Sequence, residues 1–305
     1  MMQSGSPFQC AALHGLSSII EWLFPSVVTS VDITDALYAA AKHGHLAVVK
    51  ALVLVNDTVN SDDNHALVGK GRKYPLGLLL GKVSARKEPM QKNANTGISY
   101  GKALYAASDA GHKEIVQILV EKGANVNARE GRYGNALQVA SSQGHKEAVQ
   151  MLLERGANVN ARGRGYGNAL QVASSQGHKE VVQLLLEGGG DVNMQGRDYG
   201  NALQAASFQG HIAAVKSLLR SGAQVSCSHA IQIQIWDHGE HTLTFCNALH
   251  AASLGGHGAV VELLLNHDVI TQHIDAALDA ALGHGFNHIA QLILNHGPKL
   301  KNILQ

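Results

Sequence analysis

Four histidines, His112, His145, His178 and His211, recur at intervals of 33 residues. Imidazole titrates nearest neutral pH, so a row of bases or metal ligands is the first chemistry to weigh. A tetrahedral metal site needs three or four donors converging on one point, and one histidine per 33-residue interval does not supply them. The densest group of ligand types is Trp236-Asp237-His238-Gly239-Glu240-His241. It reads as a hairpin tip, where two histidines three apart fix no ligand geometry. His238, Glu240 and His241, with Tyr74 nearer the N-terminus, form the alternative catalytic group. Cys227 and His229 are a thiol and an imidazole close in sequence, but nucleophilic catalysis needs partners oriented in space. Gly77 to Lys82 has a Gly-x-x-x-Gly-Lys order followed by Val83, so both the spacing and the magnesium-binding hydroxyl of a phosphate loop are wrong. No catalytic residue, metal or cofactor is assigned as the first reading.

Composition narrows the partner classes. The chain has 305 residues, 45% hydrophobic, 5% aromatic and 15% charged, with a formal charge of +1. That content supports folding and offers no global field for nucleic acid or an anionic membrane. The three cysteines, Cys10, Cys227 and Cys246, are too scattered for a disulfide framework, which fits a reducing compartment. No apolar run has the length of a membrane span, and His14 and Glu21 interrupt the N-terminal stretch where a signal core would be apolar. The expectation is a soluble cytoplasmic or nuclear chain, monomeric, with no nucleic-acid or membrane partner.

Self-similarity settles the architecture. Residues 133–147 and 166–180 are both Tyr-Gly-Asn-Ala-Leu-Gln-Val-Ala-Ser-Ser-Gln-Gly-His-Lys-Glu, and the period also carries Tyr100, Tyr133, Tyr166 and Tyr199. Asn135-Ala136-Leu137-Gln138 reads as a helix start with Asn as N-cap and Gln at N3, a variant of the capping box, and Asn168 and Asn201 repeat it. A first helix runs to the Ser-Gln-Gly-His turn, where Gly144 stops it. A second begins near Lys146, places Val149, Leu152 and Leu153 on one face, and ends at Gly156. Both are shorter than the roughly 12–15 residues at which an isolated helix is marginal, so neighbouring units must complete the core.

The succession Asn-Ala-Leu-Gln-x-Ala, Gly-His-x-x-x-Val-x-x-Leu-Leu and Gly-Ala-Asn-Val-Asn resembles the ankyrin repeat. In form it is similar to the Gly-Asn-Ala-Leu-Gln arrays of filamentous fungi, where Asn-Ala-Leu-Gln stands in for Thr-Pro-Leu-His; His250 keeps the usual histidine. The resemblance implies an all-α solenoid of helix-turn-helix units with β-turn fingers. It places the repeated histidine in the turn between helices, bonded to neighbouring backbone, with successive copies too far apart to share a metal. Divergent units over Cys10–Leu23, Ala36–Val53, Ala248–Leu265 and Ala276–Leu294 bring the count to about eight. Leu16 and Phe286 replace the histidine in the first and last, as expected of end units that lose the repeated contact and act as caps.

The phase breaks twice. The stretch 64–98 lacks the Gly-His turn and carries Lys70, Arg72, Lys73, Lys82, Arg86, Lys87 and Lys92 against Glu88. It is assigned as a long basic loop, with a degraded repeat from Pro75-Leu76 as the alternative. Between His211 and His257, Ile231, Ile233 and Ile235 alternate with glutamines, and Leu243 and Phe245 with threonines, which is strand periodicity around a turn. Pairing Ile235 with Leu243 and Ile233 with Phe245 keeps one face apolar, and packing of that face on the adjacent finger is expected, with a face left open for a partner as the alternative. The reading is therefore 1–54 divergent N-terminal units, 55–98 basic insertion or degraded repeat, 99–226 four in-phase repeats, 227–245 β-hairpin insertion and 246–305 C-terminal units and cap.

Function in such an array resides on the surface that varies while the core repeats. The resemblance implies a non-catalytic module or scaffold that holds another protein on its concave face and fingers. The candidate contacts are Tyr100, Arg132, Tyr133, Arg164, Tyr166, Arg197, Tyr199 and Trp236, aromatic and Arg types that suit an interface. The alternative is a small-molecule-binding protein or enzyme built near 229–244 and the basic insertion. Because a stacked array sums unit and interface stabilities, amides in 99–222 should exchange with deuterium most slowly and those of the end units fastest; uniform protection in native-state exchange would contradict this reading.

Overall fold

The computed structural model describes residues 7–23, 30–59, 99–163, 167–196, 200–235, 241–267 and 274–301. The chain forms two compact units, residues 1–130 and 131–305. The first contains α1 (Pro7–Leu13), α2 (Ser17–Leu23), α3 (Ser30–Lys42), α4 (Leu46–Val59), α5 (Tyr100–Asp109) and α6 (Lys113–Glu121). The second contains α7 (Ala136–Gln143), α8 (Lys146–Glu154), α9 (Ala169–Ser175), α10 (Lys179–Glu187), α11 (Ala202–Phe208) and α12 (Ile212–Arg220). It continues with β1 (Ser226–Ile235), β2 (His241–Asn247), α13 (Ala248–Leu254), α14 (Gly258–Leu265), α15 (Ile274–Gly283) and α16 (Asn287–Lys301). Each odd-numbered helix pairs with the even-numbered one after it, and the pairs stack so that odd helices pack on odd and even on even within each unit.

Local chemistry sets the helix ends. Asn135, Asn168 and Asn201 are extended N-caps whose side chains accept from the backbone N–H of Gln138, Gln171 and Gln204, and each glutamine reciprocates. All three capping boxes close as read from the sequence. Gly144 stops α7 in the left-handed conformation. Leu137, Leu170 and Leu203 on the first helices and Val149, Leu152, Val182, Leu185, Val215 and Leu218 on the second are buried. At one position of the first helix only small residues occur: Ala12, Ala41 and Ser108 in the first unit, Ser141, Ser174, Ser207 and Ser253 in the second, each 0% exposed. The corresponding residue of α15 is Leu282, 54% exposed, so the row of close helix approaches ends there.

The insertions leave the stack intact. α3 packs directly on α5, and the His112 ring lies against Gly44 as it does between consecutive units. The units flanking 60–98 are thus immediate neighbours; the basic loop and its alternative themselves lie outside the described residues. Likewise α11 packs on α13 and His257 lies on Gly210, although β1 and β2 come between them in sequence. The strands pair antiparallel with Ile231 opposite Phe245, Ile233 opposite Leu243 and Ile235 opposite His241. This corrects the register expected from sequence by two residues. A two-residue slip leaves every residue on its original face, so alternation alone could not choose between registers. In the observed one Ile235 pairs with His241 and Gln234 with Thr242 in place of Leu243 and Thr244. The packing expected of the hairpin's apolar face involves side chains outside the described set.

Among the described residues no helix is long and apolar enough to cross a membrane. Two glycines separate conformational from contact effects. Gly222 (φ +84°) has no neighbour within 4 Å of an added Cβ, whereas at Gly177 (φ +74°) that atom would lie 2.5 Å from Nδ1 of His211. Gly222→Ala should cost about 1–2 kcal/mol, the left-handed penalty alone. Gly177→Ala should cost on the order of 1–3 kcal/mol more, because the imidazole must also move. Urea unfolding of the two variants checks the difference; equal losses would show that the ring contact carries nothing.

Candidate functional site

The repeated histidines have a structural task. Nε2 of His178 donates to the Ser142 carbonyl at 3.0 Å and Nε2 of His211 to the Ser175 carbonyl at 3.0 Å. In the first unit Nε2 of His45 donates to the Leu13 carbonyl at 2.8 Å. Each ring lies against the turn glycine of the preceding helix pair, His45 on Gly15, His178 on Gly144 and His211 on Gly177. A carbonyl can only accept, so these bonds fix Nε2 as the protonated nitrogen. The expectation that the end units lose this contact needs correction at one end. The Phe286 ring still covers Gly256, because an aromatic ring of similar shape fills the same space, and only the bond to the carbonyl has gone. Leu16 at the other end is 44% exposed.

The fingers are positioned by two amide side chains that the sequence reading did not single out for this role. Gln138, besides closing its capping box, donates through Nε2 to the carbonyls of Ala161 (3.0 Å) and Gly167 (3.1 Å) in the next finger. Gln171 does the same to Met194 and Gly200. Those carbonyls flank the finger tips, and a backbone bond from Gly163 to Gly167 and from Gly196 to Gly200, both 2.8 Å, closes each loop. At the finger base Asn160 donates to the Gly189 carbonyl (3.1 Å) and accepts from the Asp191 N–H (2.8 Å). Asn193 bridges to Gly222 and Gln224 in the same way. Every amide oxygen and nitrogen in this scheme acts in its proper sense, and both glutamines are 2% exposed, so the network is strong and costly to interrupt.

The candidate contact residues divide by position. Arg132 is exposed and Tyr133 half-buried in the turn before Asn135. Tyr100 is the first residue of α5 and half-buried, after Ser99 at the N-cap position with no side-chain capping bond, so it opens a helix where Tyr133 precedes one. Arg164, Tyr166, Arg197, Tyr199 and Trp236 lie outside the described residues, as do Tyr74, His238 and Glu240 of the alternative group. The backbone of His241 pairs with Ile235. Among the described residues no group of three or more His, Cys, Asp or Glu is placed to hold a metal ion. Gly188 and Gly189 form the end of α10, with Gly188 N–H bonded to the Leu184 carbonyl, where the helix dipole repels phosphate.

The model of three ankyrin repeat copies matches residues 77–163 and 164–229, half of the chain. The chain belongs to the ankyrin repeat family. The match begins at residue 77, inside the segment read as a basic insertion or degraded repeat. No curated protein matches this ankyrin chain.

Gln171 separates capping from finger support. Gln171→Ala should cost about 2–4 kcal/mol, three bonds at roughly 1 kcal/mol each, with the Asn168 N–H and the Met194 carbonyl losing their partner while the Gly200 carbonyl keeps the Gly196 N–H. Gln171→Glu keeps an acceptor for the Asn168 N–H but sets a carboxylate against two carbonyl oxygens, and should destabilise at least as much at neutral pH. If the glutamate variant unfolds in urea like wild type, the outgoing bonds do not support the finger.

Proposed function

We propose that this ankyrin protein is a non-catalytic interaction module that holds a protein partner on the fingers and the adjoining first-helix face. Ankyrin repeats in general are protein–protein interaction modules. The observation that supports the reading here is the investment of buried glutamine side chains in holding successive finger loops. Gln138 and Gln171 each spend both ends of the amide on the next finger and the cap behind it. A loop held at its base on a rigid scaffold presents its tip without the ordering cost that a free loop would incur on binding. Arg162 stands exposed at the described margin of the loop that Gln138 holds, and Arg132, exposed, and Tyr133 lie in the turn before Asn135. Arg164, Tyr166, Arg197 and Tyr199 complete the proposed surface by repeat register. The full array in this reading is about eight helix pairs with 226–247 as an elongated finger.

The triple variant Tyr133→Ala, Tyr166→Ala and Tyr199→Ala tests it. Interface aromatics that act as anchors lose about 1–2 kcal/mol or more each on truncation, so the amount of partner retained by the immobilised chain from its source extract should fall at least tenfold. The thermal midpoint of the variant is measured alongside. A partner retained at wild-type level by a folded triple variant overturns the finger surface.

A further inference from the structure

β1 and β2 form a two-stranded sheet, and among the described residues neither outer edge has a strand partner. β2 packs on α13. Natural proteins protect open edges with lysine, proline, charge or an interrupted strand. The residues Ser228 to Ile235 of β1 contain no Lys, Arg, Asp, Glu, Pro or Gly, and the only irregularity falls between Ser226 and Ile231. The stretch Ile231 to Ile235 thus combines β-branched residues, neutrality and an open edge, the combination that invites another strand.

The sequence of that edge identifies the strand it accepts. Ile231-Gln232-Ile233-Gln234-Ile235 reads the same in both directions. Antiparallel pairing with a second copy about Ile233 sets Ile231 against Ile235, Ile233 against itself, and Gln232 against Gln234. Isoleucines then meet on one face and glutamines on the other, where amide groups are both donors and acceptors to their own kind. β2 lacks this property: about Leu243, Thr242 and Thr244 correspond but His241 and Phe245 do not. A two-fold contact requires a self-complementary patch, and an unrelated peptide would make no use of the palindrome. The intrachain register also places Leu243 and Phe245 on the isoleucine face, so pairing of two ribbons continues one apolar face across the axis.

We propose that two copies of this chain associate through the outer edges of their β1 strands, antiparallel about Ile233, forming a four-stranded sheet. The sequence reading expects a monomer; the contact proposed here uses the outer edge of β1 and not the tyrosine and arginine positions of the other fingers.

Sedimentation of the full chain over a broad concentration range should show a monomer–dimer equilibrium. Ile233→Lys places two ammonium groups at the axis and should leave a monomer with the helical circular dichroism of wild type. Ile233→Cys supplies a second reading that does not depend on that variant folding. Residues directly opposed in an antiparallel pair have Cα atoms about 4.5–5.5 Å apart, within disulfide reach, so mild oxidation should yield a covalent dimer whose digest contains the peptide linked 233 to 233. Gln232→Cys lies on a diagonal from its own copy, about 7–8 Å away, and should cross-link poorly. A chain that stays monomeric throughout, a dimer that survives Ile233→Lys, or linkage at 232 as efficient as at 233 overturns the proposal.

Discussion

The stack of helix pairs within each compact unit depends on one repeated contact, an aromatic ring set against a glycine that has no side chain. His45 on Gly15, His178 on Gly144 and His211 on Gly177 set how closely one helix pair approaches the next. The ring's Nε2 then closes on a carbonyl one residue beyond the preceding small-residue position. The approach explains why that position is alanine or serine wherever another pair follows. It also explains why the second helix can be short: its valines and leucines are covered by a neighbour at fixed distance, and isolated stability is not required of it.

On this spacing the amide network follows. Gln138 reaches the Ala161 and Gly167 carbonyls, and Asn160 reaches Gly189 and Asp191, only because the neighbouring pair is held at one distance. Aliphatic packing tolerates slippage of a fraction of an ångström; hydrogen bonds with both ends of a buried amide do not. The apolar core therefore supplies most of the burial, while the histidines, glutamines and asparagines determine one geometry for it.

The repeat, both helix boundaries and the capping boxes were legible in the sequence because each rests on local signals: Asn before an apolar run, Gln three residues on, Gly after the last periodic residue. The outward half of the glutamine's work was not legible. A capping box uses Oε1, and nothing in the local sequence shows that two carbonyls of the next finger will stand before Nε2. Phe286 misled for a related reason. Its hydrogen-bonding difference from histidine is plain in the sequence, whereas its equivalence in shape appears only against Gly256. The ribbon's alternation showed which residues share a face, but a period of two is blind to a slip of two. Of the contact surface, Arg132 and Tyr133 can be placed in the turn before a capping box, whereas Tyr100 starts a helix.

Segments of very different length occupy the same place in the repeat. Between α4 and α5 the chain runs from 60 to 99, between α8 and α9 from 155 to 168, and between α12 and α13 from 221 to 247. In the first and third cases, as in the second, the first helices on either side remain in direct contact. The free energy of closing a connection rises only slowly with its length, about 0.6 kcal/mol per doubling, so the stacked core is little affected by how many residues lie between its helices. Such an architecture separates two kinds of inheritance. Substitutions in the stack are judged by every neighbouring unit at once, but new sequence spliced at the finger position is judged only by what it does there, which makes that position a natural entry point for acquiring elements such as the ribbon.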